Sequence, residues 1–329
     1  VSGAATRDPG AAVAALRSAR RVLVTSHMSP DGDAIGSELA LAELAERLGA
    51  TVTVVNRDRP PSGLDELPGC ERIVVVHRLA RERIEEHDLA VLLECPGLDR
   101  PGLDGLDAVP ILNVDHHRGN ELYGAVNYVD EEAPAVGEMV WRMFRAAGVG
   151  PSPEAATCAY AALATDTGDF RYANATPRAF AAAAEMVAAG ARPERVAELV
   201  HERRSEGSIR LLGEALATLE LHAGGKVAVM WVDAEAFRRA GARPEDTEDL
   251  VNAPRAIAGV RAVAFLKQWE PGVVRVSLRS KGSVDVQAVA ASFGGGGHTN
   301  AAGCTIRDGL EAARAAVVAR LTAAVEGAR

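Results

Sequence analysis

Five short apolar runs set the first constraint on what this chain can fold into. They lie at 22–25, 51–56, 72–76, 89–94 and 110–115, with helical patterns between several of them. Short apolar runs read as buried strands. Strands alternating with helices predict a doubly wound, mostly parallel α/β sheet with helices on both faces. In an open sheet of that kind, chemistry collects at the carboxyl ends of the strands.

The first of those ends is the most informative. Run 22–25 leads into Ser26-His27-Met28-Ser29-Pro30-Asp31-Gly32-Asp33-Ala34-Ile35-Gly36-Ser37, and a helical pattern extends from about 35 to 48. A His-x3-Asp-x-Asp turn offers the donor mix of hard-to-borderline divalent metals. Alone, it serves equally as a turn and helix cap, with Asp33 accepting from free backbone amides. Other element ends weigh on the choice. Glu94 ends one run, Asp115-His116-His117 end another, and Asp166 closes a helix. Individually, Asp115 could be a strand-end turn residue, either histidine a surface residue and Asp166 a loop acid. A converged set of so many carboxylates cannot all stay ionised without cations. Its size suggests two metals sharing a bridging carboxylate. The matching chemistry is in-line displacement at phosphorus by a metal-held hydroxide.

Further helices are expected at 10–20, 136–147, 154–165, 179–189, 193–203 and 208–219. Character then changes. Strands at 226–232, 262–269 and 273–279, with helices at 244–251, 286–292 and 310–325, outline a smaller α+β unit. This gives a first domain over 1–190, a helical linker over 191–215 and a second domain over 216–329. The second domain carries Gly294-Gly295-Gly296-Gly297-His298. Four glycines can aim successive N–H groups into one concavity that suits a phosphate. Arg279 ends a strand and is equally a phosphate clamp or a solvated arginine.

Composition excludes some functions. A net charge of −9 over 329 residues argues against a long nucleic-acid duplex, where affinity comes from many Lys/Arg–phosphate contacts. Small anions remain open. Cys70, Cys95, Cys158 and Cys304 lie far apart and read as core residues in a reducing cytosol, not as a zinc site or disulfide framework. No apolar run approaches the roughly 18–20 residues of a membrane span, and residues 1–20 lack a signal-peptide core. The expectation is a cytoplasmic protein with no membrane partner.

Together, His27…Asp31-Gly32-Asp33-Ala34-Ile35-Gly36-Ser37, Asp115-His116-His117, Thr165-Asp166-Thr167-Gly168, Val276-Ser277-Leu278-Arg279-Ser280-Lys281 and Gly294–His298 form a specific ordered set. On these motifs the chain resembles DHH-superfamily phosphoesterases with a DHH-associated C-terminal domain, and within them the nanoRNase and pAp phosphatase branch. The resemblance implies an active site in a cleft between two domains, open only to short substrates. It implies two Mn2+ ions, with Mg2+ or Co2+ as substitutes. His27, Asp31, Asp33, His116 and Asp166 would be metal ligands. His117 would lie near the scissile phosphate, and Asp115 would orient the histidines. Arg279, Ser280, Gly295, Gly296, Gly297 and His298 would hold the terminal nucleotide. Expected substrates are short 5′-phosphorylated single-stranded RNA, 3′,5′-bisphosphorylated adenosine, and linear or cyclic dinucleotides.

One departure stands out. The family usually places Asp, as the bridging ligand, where this chain has Glu94. Glu94 could bridge, bind one metal, or leave the site half-loaded. Two alternatives follow: a nucleotide-binding or sensing module with a degraded metal site, and a pyrophosphatase-like hydrolase. The latter's C-terminal domain uses a basic motif in place of the glycine run. A homodimer is an open option.

Overall fold

The computed structural model describes residues 4–247 and 250–328. The chain forms two compact units, Val1–Arg203 and Arg204–Arg329.

The first unit runs β1 (Ala5–Thr6), α1 (Gly10–Ser18), β2 (Arg21–Thr25), α2 (Gly32–Arg47), β3 (Thr51–Asn56), β4 (Ile73–Val75), α3 (Arg81–Ile84) and β5 (Leu89–Leu93). It continues with β6 (Ile111–Asp115), β7 (Val126–Val129), α4 (Val136–Ala147), α5 (Pro153–Asp166), α6 (Pro177–Ala188) and α7 (Pro193–His201). Its sheet has the order β1-β7-β6-β5-β2-β3-β4, and every pairing is parallel. The chain leaves β2 toward β3 on one side and later returns through β5 on the other. The β2/β5 boundary is therefore the switch point, where loops diverge and leave a crevice.

Burial explains the continuous apolar character of the strands. Val22, Val24, Val91, Leu93, Leu112 and Val114 join a core with α1, α2, α4 and α5. Leu23, Val55, Ala90, Leu92 and Ile111 face the other way, into a core with Ile84, Leu103 and Leu106. That second face is covered by the one-turn α3 and by turns, so long helices pack on one face only. Helix α2 packs closely on α5. A Cβ at Gly36 would sit 2.3 Å from the Cys158 carbonyl oxygen, so only glycine permits this approach. Asp31, rather than Asp33, caps α2 by accepting from the Ala34 N–H at 3.0 Å. Asp33 is held by a more distant element, described below.

The second unit runs α8 (Glu206–Ala217), β8 (Glu220–His222), β9 (Val227–Asp233), α9 (Ala234–Ala240), β10 (Ala262–Glu270), β11 (Val273–Ser280), α10 (Val286–Ala291), β12 (Gly296–His298), β13 (Ala301–Ile306) and α11 (Leu310–Gly327). Its sheet order is β12-β13-β11-β10-β9-β8, antiparallel except for β9 with β10. One face packs on α10 and α11 through Leu266, Val276 and Leu278. The other packs on α8 and α9 through Val263, Phe265 and Phe237. The stretch 191–215 carries parts of two helices, α7 in the first unit and α8 in the second.

Two expectations are corrected here. The helix expected over 244–251 is a pair of 3-10 turns, Pro244–Thr247 and Leu250–Ala256, with residues 248–249 outside the described residues. The glycine run forms an edge strand rather than a free concavity of amides: Gly296–His298 pairs with Ala301–Gly303 across a two-residue turn. At Gly297, φ is +139°, and a Cβ would meet the Ala301 carbonyl at 2.5 Å. Close backbone approach is thus what glycine supplies there. Cys70, Cys95, Cys158 and Cys304 are buried free thiols. Among the described residues, no helix is long and apolar enough to cross a membrane.

Candidate metal centre and active site

An all-parallel sheet brings the ends of β2, β5 and β6 to one edge, and each end carries charge. Past β2, His27 Nδ1 lies 2.8 Å from the Met28 carbonyl oxygen, and its Nε2 lies 3.9 Å from Asp31 Oδ1. Asp33 is buried in the first turn of α2. Its Oδ2 accepts from the Val136 N–H at 2.7 Å, and its Oδ1 from the Gly137 N–H and the Ser37 hydroxyl, both at 2.9 Å. The first turn of α4 thus donates two otherwise orphaned amides to a carboxylate on α2.

His116 lies at the centre. Its Nδ1 is 3.0 Å from the Ala133 carbonyl oxygen, an acceptor only, so the ring proton sits on Nδ1. Nε2 then faces three carboxylates: Glu94 Oε1 at 3.0 Å, and Asp33 Oδ2 and Asp166 Oδ2 at 4.0 Å each. Glu94 follows β5 directly, is buried, and has φ of 60°, where a long side chain is uncommon. Asp166, the last residue of α5, is steadied by the Asn174 amide, which donates to its Oδ2 at 3.2 Å.

The electrostatics show an uncompensated excess of negative charge. Burial, then the nearby Asp33, pushes the Glu94 carboxyl well above the usual range. Burial, then Asp33, lifts Asp166 to about 7. Burial opposes a charge on His116, but Glu94, Asp33 and Asp166 outweigh it and push the imidazole up to about 11. Glu94 Oε1 is buried yet makes no hydrogen bond, although a ring nitrogen lies 3.0 Å away; the pair is out of line. A carboxylate oxygen and an imidazole nitrogen that share a small space without bonding fit a common third body. Two overlapping triples, Glu94–His116–His117 and Asp33–His116–Asp166, each bring their donor atoms within 4.8 Å of one another. Imidazole nitrogen with carboxylate oxygen suits a divalent cation.

His117 donates Nδ1–H to Asp115 Oδ1 at 2.9 Å, and its Nδ1 lies 3.7 Å from Glu94 Oε2. The Asn120 amide donates to Asp115 Oδ2 at 2.6 Å. Asp115 therefore orients His117 alone; His116 is oriented by the Ala133 carbonyl. Burial opposes a charge on Asp115, but the bonds and charge of His117, then the bond from Asn120, outweigh it and lower its pKa. His27 and Asp31 face each other but fall in neither triple.

In the second unit, Arg279 Nη1 donates to the Leu278 carbonyl at 3.0 Å. Ser280 is buried; its hydroxyl donates to the Val284 carbonyl at 2.6 Å and accepts from the Asn300 amide at 2.8 Å. Gly295 packs against Gly303, whereas a Cβ at Gly296 would meet open space. The His298 side chain lies outside the described residues. Sequence reasoning missed Ala133, Val136, Gly137, Asn120 and Asn174. Three of these act through backbone groups, and the two asparagines lie in loops with no periodicity to mark them.

The DHH family N-terminal domain matches residues 21–163, and the DHHA1 domain matches residues 224–327. Over 297 residues the chain is 35% identical to the bifunctional oligoribonuclease and PAP phosphatase NrnA of Thermus thermophilus, covering 87% of this chain and 84% of that one. The chain belongs to the NrnA family of DHH–DHHA1 proteins. A second NrnA relative, from Bacillus subtilis, is 24% identical over 299 residues, covering 89% of this chain and 91% of that one. Among solved structures, an exopolyphosphatase-related protein from Bacteroides fragilis superposes with a TM-score of 0.87 at 27% identity, covering 95% of both chains. The Asp115-His116-His117 run is the motif from which the DHH name derives, and DHH enzymes depend on metal. The His116-centred triples supply candidate ligands here.

Proposed function

We propose that this NrnA-family protein is a Mn2+-dependent phosphoesterase that hydrolyses very short oligoribonucleotides and 3′,5′-bisphosphorylated adenosine. The observation that carries this reading is the convergence of Glu94, Asp33 and Asp166 on His116 Nε2, with Glu94 Oε1 buried and unbonded. Asp33, Glu94, His116 and Asp166 would hold the cations, with His117 or His27 and Asp31 completing the set. A bound pair would supply an activated water and neutralise charge developing on the phosphoryl group.

The chain's own residues do the rest. The first turn of α4 fixes Asp33 through two amides, and the Ala133 carbonyl fixes the His116 tautomer. Asp115 and Asn120 hold His117 with Nε2 free, 45% of its side chain being exposed. That nitrogen would hydrogen-bond a phosphoryl oxygen or return a proton to the leaving oxygen. On the second unit, Arg279 and the glycine-run hairpin would hold the nucleotide. Glu94 retains its place in the cluster despite the extra methylene, which favours a working enzyme over a sensing module with a degraded site. The test is product analysis after incubating the full chain with Mn2+ and either pApA or adenosine 3′,5′-bisphosphate. Release of AMP that EDTA abolishes is the expected result; intact substrate with folded, Mn2+-supplemented protein refutes it.

A further inference from the structure

Residues 133–137 reach three of the candidate ligands. The Ala133 carbonyl oxygen lies 3.0 Å from His116 Nδ1, and the Val136 and Gly137 N–H groups donate to Asp33 at 2.7 and 2.9 Å. Between them, the Pro134 carbonyl accepts from the Asn174 amide at 3.0 Å. The same amide nitrogen lies 3.2 Å from both the backbone oxygen and Oδ2 of Asp166. All three neighbours are acceptors, so the NH2 group faces them and both of its hydrogens are used. Asn174 thus ties Asp166 to the segment that already fixes the other two members of the Asp33–His116–Asp166 triple.

The chain takes an uncommon path to bring Asn174 there. Past Asp166, the φ angles of Gly168, Asp169 and Phe170 are 57°, 55° and 60°. Successive left-handed residues are rare, and for Asp and Phe, which carry a Cβ, the conformation is strained. Several contacts hold it. The Asp169 N–H donates to the Ala164 carbonyl at 2.7 Å, and the Phe170 N–H to the hydroxyl of buried Thr167 at 3.1 Å. The Phe170 ring stacks on Phe180 with centroids 5.2 Å apart. Asp169 pairs with His201 at 3.0 Å and with Arg171 at 2.9 Å. Strain that so many contacts maintain gathers at functional sites. Its result here is a chain reversal that returns Asn174, eight residues on, to the Asp166 carboxylate at the end of α5.

The atom that Asn174 reaches is the one that faces the cluster: Asp166 Oδ2 stands 4.0 Å from His116 Nε2. A carboxylate oxygen has two lone pairs, and the amide takes one and leaves the other for a cation. We propose that Asn174 is a positioning residue: by tying Asp166 to the Pro134 carbonyl it makes Asp33, His116 and Asp166 one pre-set ligand group, so that Mn2+ affinity depends on a side chain that ligates nothing itself. This rests on the metal-centre reading above.

The experiment titrates Mn2+ into EDTA-stripped, full-length wild-type, Asn174→Ala, Asp166→Asn and doubly substituted proteins, reading free Mn2+ by electron paramagnetic resonance. Asn174→Ala should weaken Mn2+ binding by about tenfold to a hundredfold, the usual effect of losing a group that orients a ligand. In the Asp166→Asn background the same substitution should change the affinity by less than about twofold, because Asn174 acts through that carboxylate. An asparagine that only closes the loop would instead lower the urea midpoint of the stripped protein and leave Mn2+ affinity alone. If Asn174→Ala does not fold, Asn174→Ser is read in the same two backgrounds. Unaltered Mn2+ affinity in the Asn174 variant, or an equal loss in both backgrounds, overturns the proposal while wild-type uptake upholds the metal centre. Absence of Mn2+ uptake by folded wild-type protein overturns both.

Discussion

Glu38 is a fully buried carboxyl in the middle of α2, one turn beyond the metal-centre residues, and it should be protonated at neutral pH. Its Oε2 accepts from the Asn56 amide at 2.9 Å, while its Oε1 and the neighbouring Ser26 hydroxyl have no partner. Burial outweighs the lowering effect of the nearby Ser26 hydroxyl and of the Asn56 amide and raises the group from 4.5 to about 8. Between those values the folded chain holds a proton that the unfolded chain has released. Stability from this group is therefore complete below pH 4.5 and is lost as pH rises through about 8. The slope is about 1.4 kcal/mol per pH unit, or about 5 kcal/mol across the whole interval. Glu38→Gln keeps the shape and stays neutral, so its stability should lack this slope. Urea unfolding of EDTA-treated wild-type and variant proteins from pH 5 to 7.5 isolates the group, because other titrations cancel in the difference. The variant should gain about 3 kcal/mol relative to wild type across that range. Parallel stability curves would refute the reasoning.

Three further outcomes follow from the first unit. Arg178 joins Asp130 at 2.7 Å and Glu138 at 2.5 Å, both of them buried; Asp130 keeps Arg142 at 3.2 Å, so Arg178→Ala should cost about 3 kcal/mol in urea unfolding chiefly by stranding the Glu138 carboxylate. Gly36→Ala drives a methyl into the Cys158 carbonyl, and overpacking of about 1–3 kcal/mol should exceed the helix-propensity gain of about 1 kcal/mol. Since α2 carries Asp33 and α5 carries Asp166, Mn2+ titration should show weaker binding in that variant; unaltered affinity with unaltered stability would count against it. Asp166→Asn should lower pApA turnover by at least about a hundredfold with little change in thermal melting, because this carboxylate is partly exposed and removing its charge relieves repulsion.

Much of the first unit was legible because its signals are local. The run 22–25 became Arg21–Thr25, and the helix expected over 136–147 is α4 over Val136–Ala147. Strand-end positions alone brought Glu94 and His116 together, since parallel strands share an edge. What could not be read depends on partners far along the chain. Asp31 and Asp33 are equally good caps by local chemistry; Asp33 was claimed by amides more than a hundred residues later. The glycine run looks like a nest in isolation and is an edge strand only because Ala301–Gly303 pairs with it. Helix α9, seven residues long between a strand and a glycine, is too short for periodicity to reveal.

The most direct test of the metal centre is the Mn2+ content of gel-filtered protein after loading, measured by elemental analysis against protein concentration. The account predicts two Mn2+ per chain in the wild type, with marked loss in His116→Gln, whose imidazole is common to both triples. Wild-type protein that elutes folded with no Mn2+, or His116→Gln that retains the full content, would contradict it.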